Sequence, residues 1–163
     1  MEKAVSEKDD HYFIAMVIDL AQKGMNNNLG GPFGAIVVKK QEIVGRGQNQ
    51  VTSSCDPTAH AEVVAIRDAC RNLNTFELSD CTIYTSCEPC PMCLGAIYWA
   101  RIERVVFAAT RHDAAQVNFD DEWLYREIPL VWEERKLDYQ QIGQSEASKL
   151  FDEWNAKSDK TPY

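Results

Sequence analysis

One histidine and two cysteines, set in two short tracts, constrain this chain more than any other feature of its sequence. The tracts are His60-Ala61-Glu62 and Pro89-Cys90-Pro91-Met92-Cys93. One imidazole and two thiolates can hold Zn²⁺ and leave the fourth tetrahedral position open to water, which is the arrangement of a catalytic site. A bound zinc lowers the pKa of that water to about 7. The sequence therefore predicts a fold that brings both tracts to one metal.

The first tract is predicted to open a helix over Thr58–Leu73, which Asp56 or Thr58 could cap. Glu62 follows His60 by two residues, so on the first helical turn it can face a substrate without binding the metal. The first tract therefore supplies one metal ligand and one carboxylate that is available for proton transfer.

The second tract is predicted to start at Pro89 and to form a helix over Cys90–Ala100. Cys90 and Cys93, at positions i and i+3, then fall on one face of that helix. The N-termini of both helices would point at one metal, where their positive dipole ends favour thiolate and hydroxide.

A purely structural zinc site is the alternative interpretation of the same residues. Cys87 stands at Cys-x-x-Cys spacing from Cys90, so a site of Cys87, Cys90, Cys93 and His60 is conceivable. Such a site leaves the Glu62 carboxylate unexplained. We expect Cys87 instead to end a strand, and Cys55, Cys70 and Cys81 to be small hydrophobic residues.

Length and charge limit the possible partners. The chain has 163 residues, enough for a single domain over 1–163, and carries 17 Lys plus Arg against 25 Asp plus Glu, a formal net charge of −8. Because nucleic-acid affinity comes largely from phosphate neutralisation, this balance argues against a nucleic-acid partner and for a small, uncharged substrate. No signal peptide or membrane-spanning run is visible, so we expect a cytoplasmic protein with no membrane partner.

Hydrophobic periodicity predicts alternating helices and strands, and hence an α/β fold with three α/β/α layers around a mixed five-stranded sheet. A weaker pattern over Asp138–Ile142 predicts either the fifth strand or an extended segment. The other predicted elements are helix Asp10–Met25, strand Phe33–Val38, strand Glu42–Gln48, helix Thr58–Leu73, strand Thr82–Ser86, helix Cys90–Ala100, strand Arg104–Ala108 and helix Ser145–Ala156.

From about Phe13 onward the chain resembles the cytidine deaminase fold superfamily, and within it the bacterial guanine deaminases. The His-x-Glu and Pro-Cys-x-x-Cys pair is typical of zinc-dependent nucleobase deaminases in general. The guanine branch is suggested by the C-terminal Tyr and by longer tracts, which are Gly30 to Ala35, Asn49, Asp56 to Glu62, Tyr84 to Arg101 and Asn118 to Asp121.

The resemblance implies a reaction and a division of roles. His60, Cys90 and Cys93 would ligate one zinc per subunit, and hydroxide would attack C2 of guanine to give xanthine and ammonia, as in purine catabolism or salvage. Glu62 would carry the proton from the water to the ring nitrogen and then to the leaving amine. Guanosine, cytosine, a guanine-like triazine and tRNA adenosine are alternative substrates, and a non-catalytic zinc-stabilised module is a further alternative.

The resemblance also implies contacts to the base. The Ala61 N–H and the Asn49 amide would hold purine edges, and Asp121, with Asp120 second, would accept base N–H groups. Phe33 and Trp99 could pack against the purine. Each has a plainer interpretation, namely a turn residue for Asn49, a helix cap for the two aspartates, core for Phe33 and a dimer contact for Trp99.

The last segment carries one more implied role. In enzymes of this type the C-terminal segment, here 143–163, swaps onto the neighbouring subunit of a homodimer, and its terminal Tyr closes that subunit's site. Tyr163 would then act as a lid. The alternative is a frayed tail.

Overall fold

A computed structural model of the protein describes residues 8–163. The chain divides into two compact units, one that ends at Glu122 and one over Trp123–Tyr163. Among the described residues, no helix is both long enough and apolar enough to cross a membrane.

The first unit consists of alternating helices and strands. Its predicted helices and strands are confirmed, with ends that differ by up to three residues. In chain order they are α1 (Asp10–Asn26), β1 (Gly34–Lys39), β2 (Glu42–Gln48), α2 (Val51–Ser54), α3 (Ala61–Leu73), β3 (Cys81–Cys87), α4 (Pro91–Trp99), β4 (Arg104–Ala109) and α5 (Arg111–Ala115).

The sheet is mixed, as predicted, but has four strands in the described part of the chain, in the order β2-β1-β3-β4. Strand β1 pairs antiparallel with both β2 and β3, with Ala35 opposite Thr85, and a bulge interrupts the β1–β2 register at Val37/Val38. Strand β4 runs parallel to β3, as the helical crossover through α4 requires.

Both faces of the sheet are covered, which gives the predicted three layers. On one face Phe13 and Val17 of α1 pack with Ile36 of β1. On the other face Ala35 and Val37 pack against α3 and α4. Successive β1 residues thus point to opposite faces, and all except the last, Lys39, are buried, as expected for a central strand with a helix on each side.

Two glycines let α3 lie close against β2. A Cβ on Gly47 would stand 2.0 Å from the Ala61 carbonyl oxygen, and a Cβ on Gly45 would stand 2.4 Å from that of Ala65. Because Ala61 is the first residue of α3, this contact fixes where the helix starts and therefore where His60 lies.

The start of α3 differs from the prediction in how it is capped. His60 itself is the N-cap residue and makes no side-chain cap hydrogen bond. Asp56 instead accepts hydrogen bonds from the N–H and the hydroxyl of Thr58, at 2.8 and 2.7 Å, within the preceding turn. The prediction that Asp56 or Thr58 caps this helix is wrong.

The second unit contains most of a short helix, α6 (Glu122–Glu127), then a 3₁₀ turn (Trp132–Glu134) and α7 (Gln144–Ala156). The predicted C-terminal helix is confirmed. The predicted fifth strand over Asp138–Ile142 is wrong, because this segment has no ladder partner in the described chain. A strand requires a neighbouring strand to satisfy its backbone groups, and a local pattern cannot supply one.

Candidate metal centre and active site

The starts of two helices meet the end of one strand at the candidate site. His60 is the N-cap of α3 and Cys90 is the N-cap of α4, so each lies where four helical N–H groups have no intrahelical partner. Strand β3 ends at Cys87, just before the second tract. The positive ends of both helix dipoles therefore point at the same region, which favours thiolate ligands there.

His60, Cys90 and Cys93 form the metal-ligating group that the sequence predicts. The Nδ1 atom of His60 lies 3.6 Å from the Sγ atom of Cys90 and 3.5 Å from that of Cys93. A tetrahedral zinc with Zn–N near 2.0–2.1 Å and Zn–S near 2.3 Å requires a nitrogen–sulfur separation of about 3.6 Å. The three side chains fit zinc without rearrangement, and one coordination position remains for another ligand.

The pKa values of the two thiols shift in opposite directions, because Cys93 donates a hydrogen bond to the Cys90 thiolate. The pKa of Cys90 is lowered to about 4, first by a hydrogen bond from the Cys93 thiol and then by one from His60. The pKa of Cys93 is raised, because it donates to the Cys90 thiolate and is buried. The pKa of His60 is raised by its hydrogen bond to Cys90. A coordinated zinc replaces these shared protons, since it deprotonates a thiol outright.

Cys87 is not part of this metal-ligating group. Its Sγ atom donates to the Thr110 carbonyl oxygen at 3.5 Å, and burial raises its pKa to about 11. In the described residues the group that could hold a metal therefore has three protein ligands, which is the number found in catalytic rather than structural zinc sites.

Glu62 lies on the first turn of α3, buried at 8% exposure, and lines the pocket beside the metal-ligating group. Burial is the main reason that its pKa is raised above the ordinary value. A carboxyl group that is held near a reactive centre and can exist in either protonation state suits general acid and base catalysis.

A cavity of about 370 Å³ opens over these residues, within the range typical of small-molecule sites. It is lined entirely by residues of the first unit. Beside His60, Cys90 and Glu62, the lining includes Gly31, Phe33, Gly34, Asn49, Val51, Thr52, Thr85, Ser86, Cys87, Glu88, Arg111, Ala114, Asn118, Phe119, Asp120 and Asp121.

Asn49 occupies the cavity wall as predicted, and its orientation is fixed by the backbone. Its Oδ1 atom accepts hydrogen bonds from the N–H groups of Gly31 and Val51, both at 3.2 Å. In the described part of the chain, no buried side-chain nitrogen or oxygen lacks a partner. The Asn49 Nδ2 group, for which the described residues supply no hydrogen-bond partner, therefore keeps some exposure. Because Asn49 lines the cavity, this donor is available to a bound molecule.

Phe33 and Asp121 also line the cavity, as does Asp120. The rings of Phe33 and Phe119 meet edge to face, with centroids 4.9 Å apart, and form an aromatic wall. Burial raises the pKa of Asp121, and the nearby Cys90 raises it further. Asp120 accepts a hydrogen bond from the Glu122 N–H at 2.9 Å, which supports the plainer interpretation of this residue as a helix cap.

The structure does not bring every predicted residue to the cavity wall. Ala61 is buried at the start of α3, where its N–H is one of the groups without an intrahelical acceptor. Trp99, at the end of α4, is 65% exposed and does not line the cavity. Tyr163 belongs to the second unit and is exposed.

Sequence reasoning missed two charged lining residues, Glu88 and Arg111. Each follows one of the parallel strands β3 and β4, whose carboxyl ends meet at one edge of the sheet, and this topology could have identified them. The Glu88 carboxylate accepts from the Arg111 N–H at 3.1 Å. Its charge therefore helps to hold the start of α5 against the site.

Comparisons with known proteins agree with this geometry. Residues 7–109 match the family model for the cytidine and deoxycytidylate deaminase zinc-binding region. The chain is 50% identical over 151 residues to guanine deaminase of Bacillus subtilis (strain 168), an alignment that covers 93% of this chain and 97% of the relative.

A solved structure gives the same relationship. The X-ray structure of guanine deaminase from Bacillus subtilis matches with a TM-score of 0.92 and 49% identity, over 95% of this chain and 99% of that one.

A tRNA-specific adenosine deaminase of Aquifex aeolicus (strain VF5) is also similar in sequence. It is 44% identical, but over 60% of this chain and 64% of its own. The chain belongs to the cytidine and deoxycytidylate deaminase zinc-binding family.

Proposed function

We propose that this protein is a guanine deaminase, a zinc-dependent aminohydrolase that converts guanine and water to xanthine and ammonia. The observation that carries the proposal is the cavity itself, which is lined by two members of the metal-ligating group, a buried carboxyl group and the Asn49 amide, with the third ligand, Cys93, buried behind them. The likeness to the Bacillus subtilis enzyme along nearly the whole of both chains supports guanine as the base.

His60, Cys90 and Cys93 would hold the zinc. When bound, the metal supplies Lewis acidity that makes a water nucleophilic at neutral pH. The thiolates contribute two negative charges to this site, and the flanking helix N-termini stabilise them. The fold thus presents the three ligands already assembled for one metal ion.

Glu62 is the proton carrier in this proposal. As water adds to C2 of guanine, a Glu62 carboxylate oxygen accepts a proton and passes it to the ring nitrogen beside C2. Glu62 then takes the proton of the new C2 hydroxyl and delivers it to the 2-amino group. The C2–N bond breaks, ammonia leaves, and C2 becomes the 2-oxo group of xanthine. Burial of Glu62, at 8% exposure, favours transfer of both protons within the site over exchange with solvent.

The base would be held by groups of complementary polarity. Asn49 donates through Nδ2 to an acceptor of the purine, and Asp121 accepts from a purine N–H. The Ala61 N–H stands beside Glu62 for a further contact. Phe33 and Phe119 form the wall against which the flat base packs.

A second copy of the chain is the proposed partner, with residues 143–163 swapped between subunits of a homodimer. In the second unit no side chain is buried, and α7 exposes Leu150, Phe151 and Trp154 along its length. A segment of this kind lacks a core of its own, so it needs another apolar surface. Trp99, with 65% exposure on α4, remains a proposed dimer contact as well as a proposed pocket residue.

We expect the enzyme to act in the cytoplasm. All cysteines of the described chain are free, and the reaction depends on two of them as thiolates. A reducing compartment keeps such thiols available for zinc.

A substrate panel tests the proposal. The zinc-loaded protein is given guanine, guanosine, adenine, cytosine and a tRNA that carries adenosine in its anticodon, and ammonia release is followed together with the product. Selective conversion of guanine to xanthine supports the proposal. Conversion of guanosine or of tRNA adenosine in preference to guanine would overturn the choice of substrate while leaving the zinc chemistry in place.

A further inference from the structure

Gly30, which does not line the cavity, is the residue whose missing side chain determines how Asn49 is held. A Cβ built on Gly30 would stand 2.2 Å from Asn49 Oδ1, 2.6 Å from the Asn49 carbonyl oxygen and 2.9 Å from its carbonyl carbon. Two of these atoms are backbone and cannot move aside as the end of a flexible side chain can. Glycine is therefore required here if Asn49 is to keep its present position.

The same loop supplies the hydrogen bonds that orient the amide. The Gly31 N–H, adjacent to Gly30, donates to Asn49 Oδ1 at 3.2 Å, and the Val51 N–H donates to the same oxygen at 3.2 Å. The Asn49 N–H donates to the Phe33 carbonyl oxygen at 3.0 Å, which ties the backbone to the other end of this loop. A flipped amide would place its NH₂ group against two N–H donors, so only one orientation is stable.

We infer that Gly30 is a positioning residue that keeps the Asn49 carboxamide in a single orientation and thereby makes Asn49 a donor-only reader of the base. The inference rests on the proposed function and adds to it a reason why guanine is preferred over other purines. A fixed donor accepts a purine that presents an acceptor, such as the 6-oxo group or N7 of guanine. It rejects a purine that presents an amino donor or a C–H at the same place.

Two guanine analogues each lack one of these two acceptors. Both keep the 2-amino group that is released, so both can still be deaminated. In 2,6-diaminopurine the 6-oxo group is replaced by an amino group, and in 7-deazaguanine N7 is replaced by a C–H group. We expect the wild-type protein to deaminate guanine with a higher kcat/KM than at least one analogue, by about tenfold or more. The analogue that is rejected identifies the acceptor that Asn49 contacts.

The positioning role is tested with Gly30→Ala, and Gly95→Ala serves as the matched control because a Cβ on Gly95 meets nothing within 4 Å. Gly30→Ala should lower kcat/KM for guanine about tenfold or more, chiefly through KM. The preference for guanine over the rejected analogue should shrink at unchanged zinc content. Gly95→Ala should keep both the rate and the preference.

Asn49→Asp provides a second test that does not depend on how well Gly30→Ala folds. The aspartate can still accept from the Gly31 and Val51 N–H groups, but it presents an acceptor to the cavity instead of a donor. Guanine turnover should fall, and the preference should shift toward 2,6-diaminopurine if the 6-position is the one that is read.

The outcomes separate this inference from the proposed function. Equal use of guanine and both analogues by the wild-type protein would overturn the inference and leave guanine deamination intact. The wild-type preference persisting in folded Gly30→Ala protein, or full guanine turnover by Asn49→Asp, would overturn it as well. No turnover of guanine by the wild-type protein would instead refute the proposed function.

Discussion

The Nδ1 atom of His60 lies 3.5 Å from the Sγ atom of Cys93, although the two residues are on different helices. This separation is close to the value of about 3.6 Å that a shared tetrahedral zinc demands. Both helices are anchored on the same sheet, so the ligand geometry is a property of the core and not of a mobile loop.

Replacement of two cysteines distinguishes the catalytic zinc from a structural one. Cys90→Ser should remove zinc and abolish deamination, because serine is a much poorer zinc ligand than a thiolate. Cys87→Ser is the matched change, and it should keep one zinc per chain because Cys87 bonds to the Thr110 carbonyl oxygen. Metal analysis of the purified variants gives the answer, and loss of zinc from Cys87→Ser would indicate four protein ligands.

The packing of α3 on β2 should control metal affinity. Gly47→Ala places a Cβ 2.0 Å from the Ala61 carbonyl oxygen, so the start of α3 must move away from the sheet. We expect a loss of about 1–3 kcal/mol in the free energy of unfolding, together with weaker zinc binding, because His60 moves with the helix. Gly95→Ala, at an unobstructed position, should be neutral or slightly stabilising.

Urea unfolding and a competitive zinc chelator measure the two quantities for Gly47→Ala separately. A variant that loses stability but binds zinc as tightly as the wild-type protein would show that α3 does not set the position of His60.

The ion pair between Asp10 and Arg104 should make stability depend on pH. Asp10 pairs with Arg104 at 2.6 Å and accepts from the Tyr84 hydroxyl at 2.8 Å. The Arg104 hydrogen bond is the main reason that the pKa of Asp10 falls to about 2 from 3.8. Because the folded-state pKa is the lower one, the stabilisation is present above about pH 4 and is lost as the pH falls toward 2.

Asp10→Asn should therefore destabilise the protein near neutral pH and have less effect near pH 3. Both partners are about half exposed, so solvent screening limits the difference to under about 1 kcal/mol. Asp19→Asn, which removes a surface pair with Lys23 on the same helix, is the control. Urea unfolding at several pH values measures the effect. If the stability difference between Asp10→Asn and the wild-type protein grew on acidification, the ion pair would not be the source of the pH dependence.

Deletion of Pro162 and Tyr163 tests the proposed lid. If the terminal Tyr closes a partner's site, turnover of guanine should fall while zinc content stays the same. Tyr163→Phe, which keeps the ring and removes the hydroxyl, separates packing from hydrogen bonding. Full activity of the truncated protein would leave the C-terminal residues as an ordinary tail.

The metal site and the main helices could be predicted because each depends on residues that are close together within short stretches of the sequence. The ligands lie in two short tracts, and the apolar positions of α1 and α3 repeat at helical spacing. The fifth strand could not be predicted, because a strand over Asp138–Ile142 needs a partner that the segment itself does not encode. Whether 143–163 swaps between subunits depends in the same way on a second chain.

The orientation of Asn49 was also beyond prediction. Its amide could be identified as a base contact, but the direction in which it points depends on the N–H groups of Gly31 and Val51. Val51 is only two residues from Asn49, but Gly31 is 18 residues away and reaches the amide only in the folded chain. Glu88 and Arg111 were missed for a related reason, since their closeness follows from the parallel pairing of β3 and β4.

Measured together, the zinc content and xanthine formation of Glu62→Gln should show one zinc per chain and a rate lower by about 10²–10⁴-fold, because the amide keeps the shape of the side chain but cannot carry the proton. Glu103→Gln, the same change at an exposed position, should behave as the wild-type protein does. Undiminished xanthine formation by Glu62→Gln would contradict the account, and loss of zinc would place Glu62 among the metal ligands instead.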